Sequence, residues 1–411
     1  MKIAVWHNLP SGGGKRALYY QVRGLVERGH QVSCWCLDSA DQSYLPLSEF
    51  ARERVVPIEF RKPRAGFTGW LAPRYSEAIA RMHAFDEACR RCAQEIAAGQ
   101  FDLLFANSSV GYPVPFIPRH LDMRTVLYLQ EPCRFLYEAA PVLPWVSSAA
   151  DDLRSSLFNP RTILANYPNL QTLRLQAKQE WLNVQTCDRV LVNSYFSRES
   201  VLRAYGVEAR VCYLGVDTTL FRNLNLARER FIVGVGSLDP IKHIDLAINA
   251  VALLREPRPP LVWIANSGSQ NYRHTITELA RLSGVELCIQ NAISDSDLVN
   301  ILNRAALLLC TPRLEPFGFG VLEANACGLP VVGVAEGGLR ETVDHGRNGF
   351  LVDPEPEHIA RAVEQLLSDP SLARTMGATG VANVTENWAV EKSVDRLEKN
   401  LLEVANSRRL S

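Results

Sequence analysis

Residues 2–38 read "KIAVWHN" (2–8), "LPSGGGKR" (9–16), "ALYYQVRGLVERGH" (17–30) and "QVSCWCLD" (31–38). A strand-length apolar run, a glycine loop, a helix-period segment and a second apolar run form one βαβ unit, which predicts a parallel sheet with helices on its faces. Further short apolar runs follow at "FDLLFAN" (101–107), "RTVLYLQ" (124–130), "RTILAN" (161–166), "RVLVNS" (189–194) and "ARVCYLG" (209–215), with helical patterns between them. They extend the same sheet as strands.

At Arg230 the alternation restarts. "RFIVGVGSL" (230–238), "PLVWIANSG" (260–268), "VELCIQNA" (285–292), "ALLLCTP" (306–312) and "LPVVGVA" (329–335) read as strands, separated by helices such as "DLAINAVALLRE" (245–256) and "FGVLEANACG" (319–328). The expectation is α/β: two facing Rossmann-like domains with parallel sheets and a cleft between them, over 1–221 and 222–388. The linker is expected near "GVDTTLFRNLNLARER" (215–230), and a last amphipathic helix within 389–411 can pack on either half, the first included.

The 411 residues are 47% hydrophobic and carry 44 Lys plus Arg against 44 Asp plus Glu. Such a balance exerts no overall pull on nucleic acid. No run approaches the ~20 apolar residues of a spanning helix, and the N-terminus turns polar too soon for a signal peptide, so a cytoplasmic protein is expected. Ten cysteines are scattered without a framework, and the one CxxC, Cys89 to Cys92, lies in a helical pattern with no second pair. It is read as buried thiols rather than a metal or redox site. Between 51 and 91, nine basic residues against five acidic ones are interleaved with aromatics. Residues 60–75 there read as a peripheral membrane or acceptor surface, or as a solvated loop.

Chemistry concentrates in "EPFGFGVLEANACGLPVVGVAEGG" (315–338), two carboxylates eight positions apart among glycines. A loop from a strand end into a helix near Gly320 places free amides where α/β sheets bind ligands, and Gly318 and Gly320 let a ligand approach the backbone. Glu315 is expected on the loop and Glu323 in the first helical turn. Carboxylates accept paired hydrogen bonds from vicinal hydroxyls, so one acid on a ribose and another on a hexose, with amides on the diphosphate, suits a nucleotide sugar. A helix-terminal charge for Glu323 and a surface acid for Glu315 explain the spacing equally well.

This segment, extended to "GLRETVDHGRNGFLVDPEPE" (337–356), resembles the donor site of the family 4 retaining glycosyltransferases, which have the GT-B fold. Weaker agreement runs through "DRVLVNSYFS" (188–197), "YLGVDTTLF" (213–221), "VGVGSLDPIKHIDLAINA" (233–250) and the first 18 residues. The resemblance implies that Glu315 contacts the donor hexose and Glu323 the ribose. Amides of Phe317, Gly318, Phe319, Gly320, Val321 and Leu322 would hold sugar hydroxyls and phosphate, and Ala292, Ile293 and Leu298 the nucleobase. Lys242 falls where the family has a lysine on the diphosphate. An ammonium there neutralises charge developing on the leaving group.

Two positions depart from the family pattern. Ser237 stands where an arginine is frequent, so Lys15, Arg16 or Arg313 is considered as a substitute cation. Gln130, followed by Glu131, stands where many relatives place a histidine; Gln130 can hydrogen bond the hexose, but a base would have to be Glu131 or the donor phosphate. Gly12, Gly13 and Gly14 form an acceptor or phosphate loop, or a mere tight turn, and match neither a Walker A nor a dinucleotide fingerprint. His7 is expected at the same cleft mouth. No metal motif or nucleophile elbow occurs, so neither metal nor other cofactor is expected. The reading is a retaining hexosyl transfer from a UDP- or GDP-linked sugar to a glycan or lipid-linked hydroxyl. The alternatives are an inactive binding or scaffold protein and a nucleotide-sugar epimerase. The sugar, acceptor and oligomeric state stay open.

Overall fold

The structure is a computed structural model that describes residues 1–62, 73–138, 160–291 and 293–407. The chain divides into two compact units, one of Met1–Asn193, Ser197–Cys212 and Arg396–Ser411, the other of Ser194–Phe196 and Tyr213–Asp395.

In the first unit, β1 (Lys2–Asn8), β2 (Gln31–Leu37), β3 (Arg52–Val56), β4 (Leu103–Ser109), β5 (Thr125–Gln130), β6 (Arg189–Val192) and β7 (Ala209–Val211) form one sheet. Its order is β3-β2-β1-β4-β5-β6-β7, and each pair is parallel. Central strands are covered on both faces, so Ile3, Ala4, Val5 and Trp6 and Leu103 to Ala106 are fully buried. The edge strand β3, "RERVV", keeps Arg52 and Arg54 outward, which discourages pairing with another chain, while its Glu53 turns inward to His7. This pattern hid it from the sequence reading.

One expected strand is corrected. "RTILAN" (161–166) lies in the helix Pro160–Val184. Pro160 occupies the first helical turn, where a missing N–H costs nothing, and a six-residue run cannot by itself distinguish strand from helix.

In the second unit, β8 (Ile232–Val235), β9 (Leu261–Ala265), β10 (Leu287–Asn291), β11 (Leu307–Cys310), β12 (Val331–Val334) and β13 (Gly349–Val352) are ordered β10-β9-β8-β11-β12-β13, again all parallel. Ile248 and Val251 from Ile244–Ala252, and Ile359 and Val363 from Pro356–Ser368, pack on Trp263, Leu309 and Val332 in its core. Each such side chain contributes roughly 1.5–3 kcal/mol by leaving water. In both sheets the strand order reverses beside the first strand, and crevices at such reversals are where ligands of α/β sheets bind. Here the reversals fall between β1 and β4, and between β8 and β11.

The helix Val390–Asn406 buries Leu397, Leu401 and Val404. Within the first unit, its Glu398 accepts from Arg28 at 2.6 Å and lies 2.7 Å from His30 Nε2, and Glu403 meets Arg189 and Arg210. Among the described residues, no helix is long and apolar enough to cross a membrane. The proposed surface 60–75 falls mostly outside the described residues, which omit 63–72.

Candidate functional site

The end of β8 is shaped by one tryptophan. A Cβ on Gly234 would lie 2.3 Å from the Trp263 ring, and Trp263 Nε1–H donates to the Gly236 carbonyl at 2.9 Å. After Ser237, whose carbonyl accepts the Asp239 N–H, a single tight turn presents Lys242. Asp239 accepts from the Ile241 N–H at 3.0 Å, Pro240 supplies a fixed φ, and His243 ends the turn at φ 47°. The stem of Lys242 then lies across Gly236, where an added Cβ would come within 3.3 Å of it.

The loop after the neighbouring strand, β11, meets that lysine. Lys242 Nζ donates to Glu315 Oε2 at 2.9 Å, with the two side chains 25% and 18% exposed. The carboxylate is therefore largely withdrawn from bulk water and lies against the lysine. Thr311 Oγ1 donates to the Lys242 carbonyl at 3.1 Å and ties the two strand ends together. Glu315 is itself held between turns: the Gly338 N–H donates to its carbonyl at 2.7 Å.

The helix that follows, Phe319–Ala326, starts from Gly318 at φ 83°, where a Cβ would strike Leu339 at 2.4 Å. Only glycine meets both demands. Phe317, Val321 and Leu322 are buried in the core, so they can offer a ligand backbone only. The Val321 N–H is already bonded to the Gly318 carbonyl at 3.0 Å. Gly320 is open: a Cβ there would meet nothing nearer than Val235, at 3.8 Å. Glu323 is 5% exposed and is the fifth residue of its helix, not a first-turn residue as expected, because the helix begins at Phe319. The macrodipole acts within the first turn, so it gives no account of this buried acid. Leu298 is buried in the helix Asp295–Arg304, Ile293 is half-buried just before it, and Ala292 lies outside the described residues.

In the first unit, Gly12 and Gly13 open the helix Gly13–Glu27, which starts four residues earlier than its apolar pattern indicates. Gly14 has a specific partner. A Cβ there would lie 2.9 Å from Gln130 Nε2, so the glycine makes room for that amide. Gln130 closes β5 at φ 63°, a left-handed conformation costing a non-glycine residue on the order of 1–3 kcal/mol, and the β5–β6 register shifts there. Glu131 Oε2 accepts from Arg134 Nε at 2.6 Å, so this acid is ion-paired.

His7 departs from its expected place. It is completely buried, with Nδ1 accepting from the Leu9 N–H and Nε2 donating to Glu53 at 3.0 Å. Burial lowers its pKa, against the opposing hydrogen bond to Glu53. A ring so enclosed is packed structure, not a ligand contact. Donor atoms of His7, Cys36 and Glu53 lie within 4.8 Å of one another. Lys15, also fully buried, shares this cluster, and its charge opposes a second cation there. Burial pushes Glu53 up, but the His7 hydrogen bond and Lys15 outweigh it and hold the carboxyl low. Nor do the other substitute cations stand open: Arg16 is buried against Tyr20 and Tyr44, and Arg313 is paired with Glu336. Cys89 and Cys92 are buried in the helix Pro73–Ala97, where burial raises both thiols, Cys92 to about 12.

Residues 11–220 match the family model described as Glycosyltransferase Family 4, and residues 216–381 the one described as Glycosyl transferases group 1. The chain belongs to the family 4 glycosyltransferases. It is 37% identical over 251 residues to a D-inositol 3-phosphate glycosyltransferase of Salinispora tropica, covering 54% of this chain and 51% of that one. To human alpha-1,3/1,6-mannosyltransferase ALG2 it is 25% identical over 252 residues, 54% of this chain and 61% of the relative. The chain thus spans about half to three-fifths of the length of these relatives. The fold is GT-B, shared with a sucrose-phosphate synthase from Thermosynechococcus elongatus (TM-score 0.73, 20% identity, 98% of this chain and 99% of that one). Anabaena HepE in complex with UDP-glucose shares it too (TM-score 0.69, 22% identity, 98% and 100%).

Proposed function

We propose that the protein transfers a hexosyl group from a nucleoside diphosphate sugar, UDP- or GDP-linked, to a hydroxyl of a glycan or lipid-linked acceptor, with retention at the anomeric carbon. The observation that carries this reading is the Lys242–Glu315 pair, 2.9 Å apart at the reversal of strand order beside a helix N-terminus. Phosphate would sit on the amides at Gly318 to Gly320, with the ribose on Glu323. An incoming diphosphate competes with Glu315 for Lys242, and the released carboxylate can then accept from hexose hydroxyls. The bond between the anomeric carbon and the diphosphate oxygen breaks, the acceptor oxygen bonds that carbon, and the acceptor proton passes to the departing oxygen. Lys242 stabilises the charge that develops there.

The test is donor-dependent release of UDP or GDP with candidate acceptors, with the product anomer assigned by NMR. A second reading, a binder that does not transfer, is favoured by Gln130, which cannot titrate, and by the Arg134 contact on Glu131. It predicts nucleotide-sugar binding without release.

A further inference from the structure

Arg313 and Glu336 stand on the loops that follow the paired strands β11 and β12. Their contact is bidentate: Nε to Oε2 and Nη2 to Oε1, both 2.6 Å. Two parallel N–H···O bonds fix orientation as well as distance, which a lysine at 313 would not do. Glu336 Oε2 also accepts from the Leu314 N–H at 3.3 Å. Leu314 is the residue immediately before Glu315, and it is left-handed at φ 51°. A bulky side chain stays in that region only where its surroundings hold it.

The same turn encloses Glu315 from the other side. Gly337 follows Glu336 at φ 58°, and a Cβ on it would lie 2.4 Å from the Glu315 carbonyl oxygen and 2.9 Å from its nitrogen. With the Gly338 N–H on the Glu315 carbonyl, segment 336–338 grips the backbone on both sides of that residue. The Arg313 hydrogen bonds hold the Glu336 carboxyl below its ordinary value, so the clamp is charged at neutral pH.

We propose that Arg313 and Glu336 are positioning residues that lock the strained Leu314 turn and so aim the Glu315 carboxylate at Lys242 and at the donor sugar. This rests on the reading of Glu315 as a donor-sugar contact. It assigns Arg313 a role other than that of a second diphosphate cation.

The experiment measures kcat and KM with UDP-glucose and GDP-mannose, and binding of UDP and GDP alone, for Arg313→Ala, Glu336→Ala, Glu336→Gln, the reversal R313E/E336R, and Lys242→Ala and Glu315→Ala as references. The clamp predicts that Arg313→Ala and Glu336→Ala each lower kcat/KM about tenfold or more, with binding of the bare nucleotide within about twofold of wild type. Glu336→Gln, which keeps an acceptor for the Leu314 N–H, should lose less than Glu336→Ala, and the reversal, which restores the ion pair but puts a donor-only guanidinium opposite the Leu314 N–H, should recover only part of the loss. Unchanged kcat/KM in the clamp variants while the references collapse would overturn the clamp and leave the site reading intact. Weakened bare-nucleotide binding in Arg313→Ala would overturn it in favour of a direct diphosphate contact. Wild-type rates in the references would overturn the site reading itself.

Discussion

Lys242 Nζ and Glu315 Oε2 are 2.9 Å apart across 73 residues of sequence, because the strands that precede their loops, β8 and β11, are neighbours in the sheet. Each loop is then tightened by local devices: the Asp239 cap on one side, the Gly337–Gly338 turn on the other. The pair holds an ammonium in a neutralised, half-buried state, and the proposed function assigns that ammonium to the donor diphosphate. A partly exposed ion pair is worth about 0–1 kcal/mol to the fold, so its placement is better explained by binding than by stability.

Gly236→Ala tests how closely the lysine is seated. The added methyl would come within 3.3 Å of the Lys242 stem and displace it by a few tenths of an ångström. Donor saturation should show KM raised by about three- to tenfold with little change in melting temperature. An unchanged KM would mean that the stem's position on Gly236 is immaterial.

Gly14→Ala probes the first unit. Its methyl would contact Gln130 Nε2 at 2.9 Å, at the flexible end of that side chain, so the fold should survive while the amide moves. Acceptor KM or kcat should worsen by about tenfold, and binding of UDP or GDP alone should not change. Equal damage to nucleotide binding would contradict an acceptor-side role for the Gly14–Gln130 contact.

Glu180 carries a pH dependence. Fully buried, it accepts from Gln176 at 2.8 Å and Tyr205 at 2.7 Å, and burial pushes its carboxyl up to about 7 from an ordinary 4.5. Tyr112 and Cys133 nearby, both pushed to about 12, stay protonated over that range. Between 4.5 and 7 the folded chain holds more protons than the unfolded one, so stability falls as pH rises through this window, by up to about 3 kcal/mol. Glu180→Gln removes the titration. Urea unfolding at pH 5 and pH 8 should therefore show a smaller difference in the variant, and equal differences in both proteins would refute the assignment.

The doubly wound sheets were legible because central strands announce themselves as continuous apolar runs between glycine and proline. Lys242, Glu315 and Glu323 were singled out through their motif. The misses share a cause: they depend on what lies next to a residue in space. "RERVV" runs three charges before two valines, which an edge strand tolerates, and "RTILAN" is apolar enough for either period. His7 stands at the end of an apolar strand and reads as a cleft-mouth ligand until its burial and its bond to Glu53, 46 residues away, are seen. The Gly14–Gln130 and Arg313–Glu336 contacts join different βα units, and nothing local in either segment names the other.

The most direct measurement is nucleotide release from UDP- and GDP-sugars by the wild type, Lys242→Ala and Glu315→Ala, each checked for an unchanged melting temperature. Release by the wild type that falls about a hundredfold in both variants is the predicted result. Release undiminished in both folded variants would contradict the assignment of this pair to the donor.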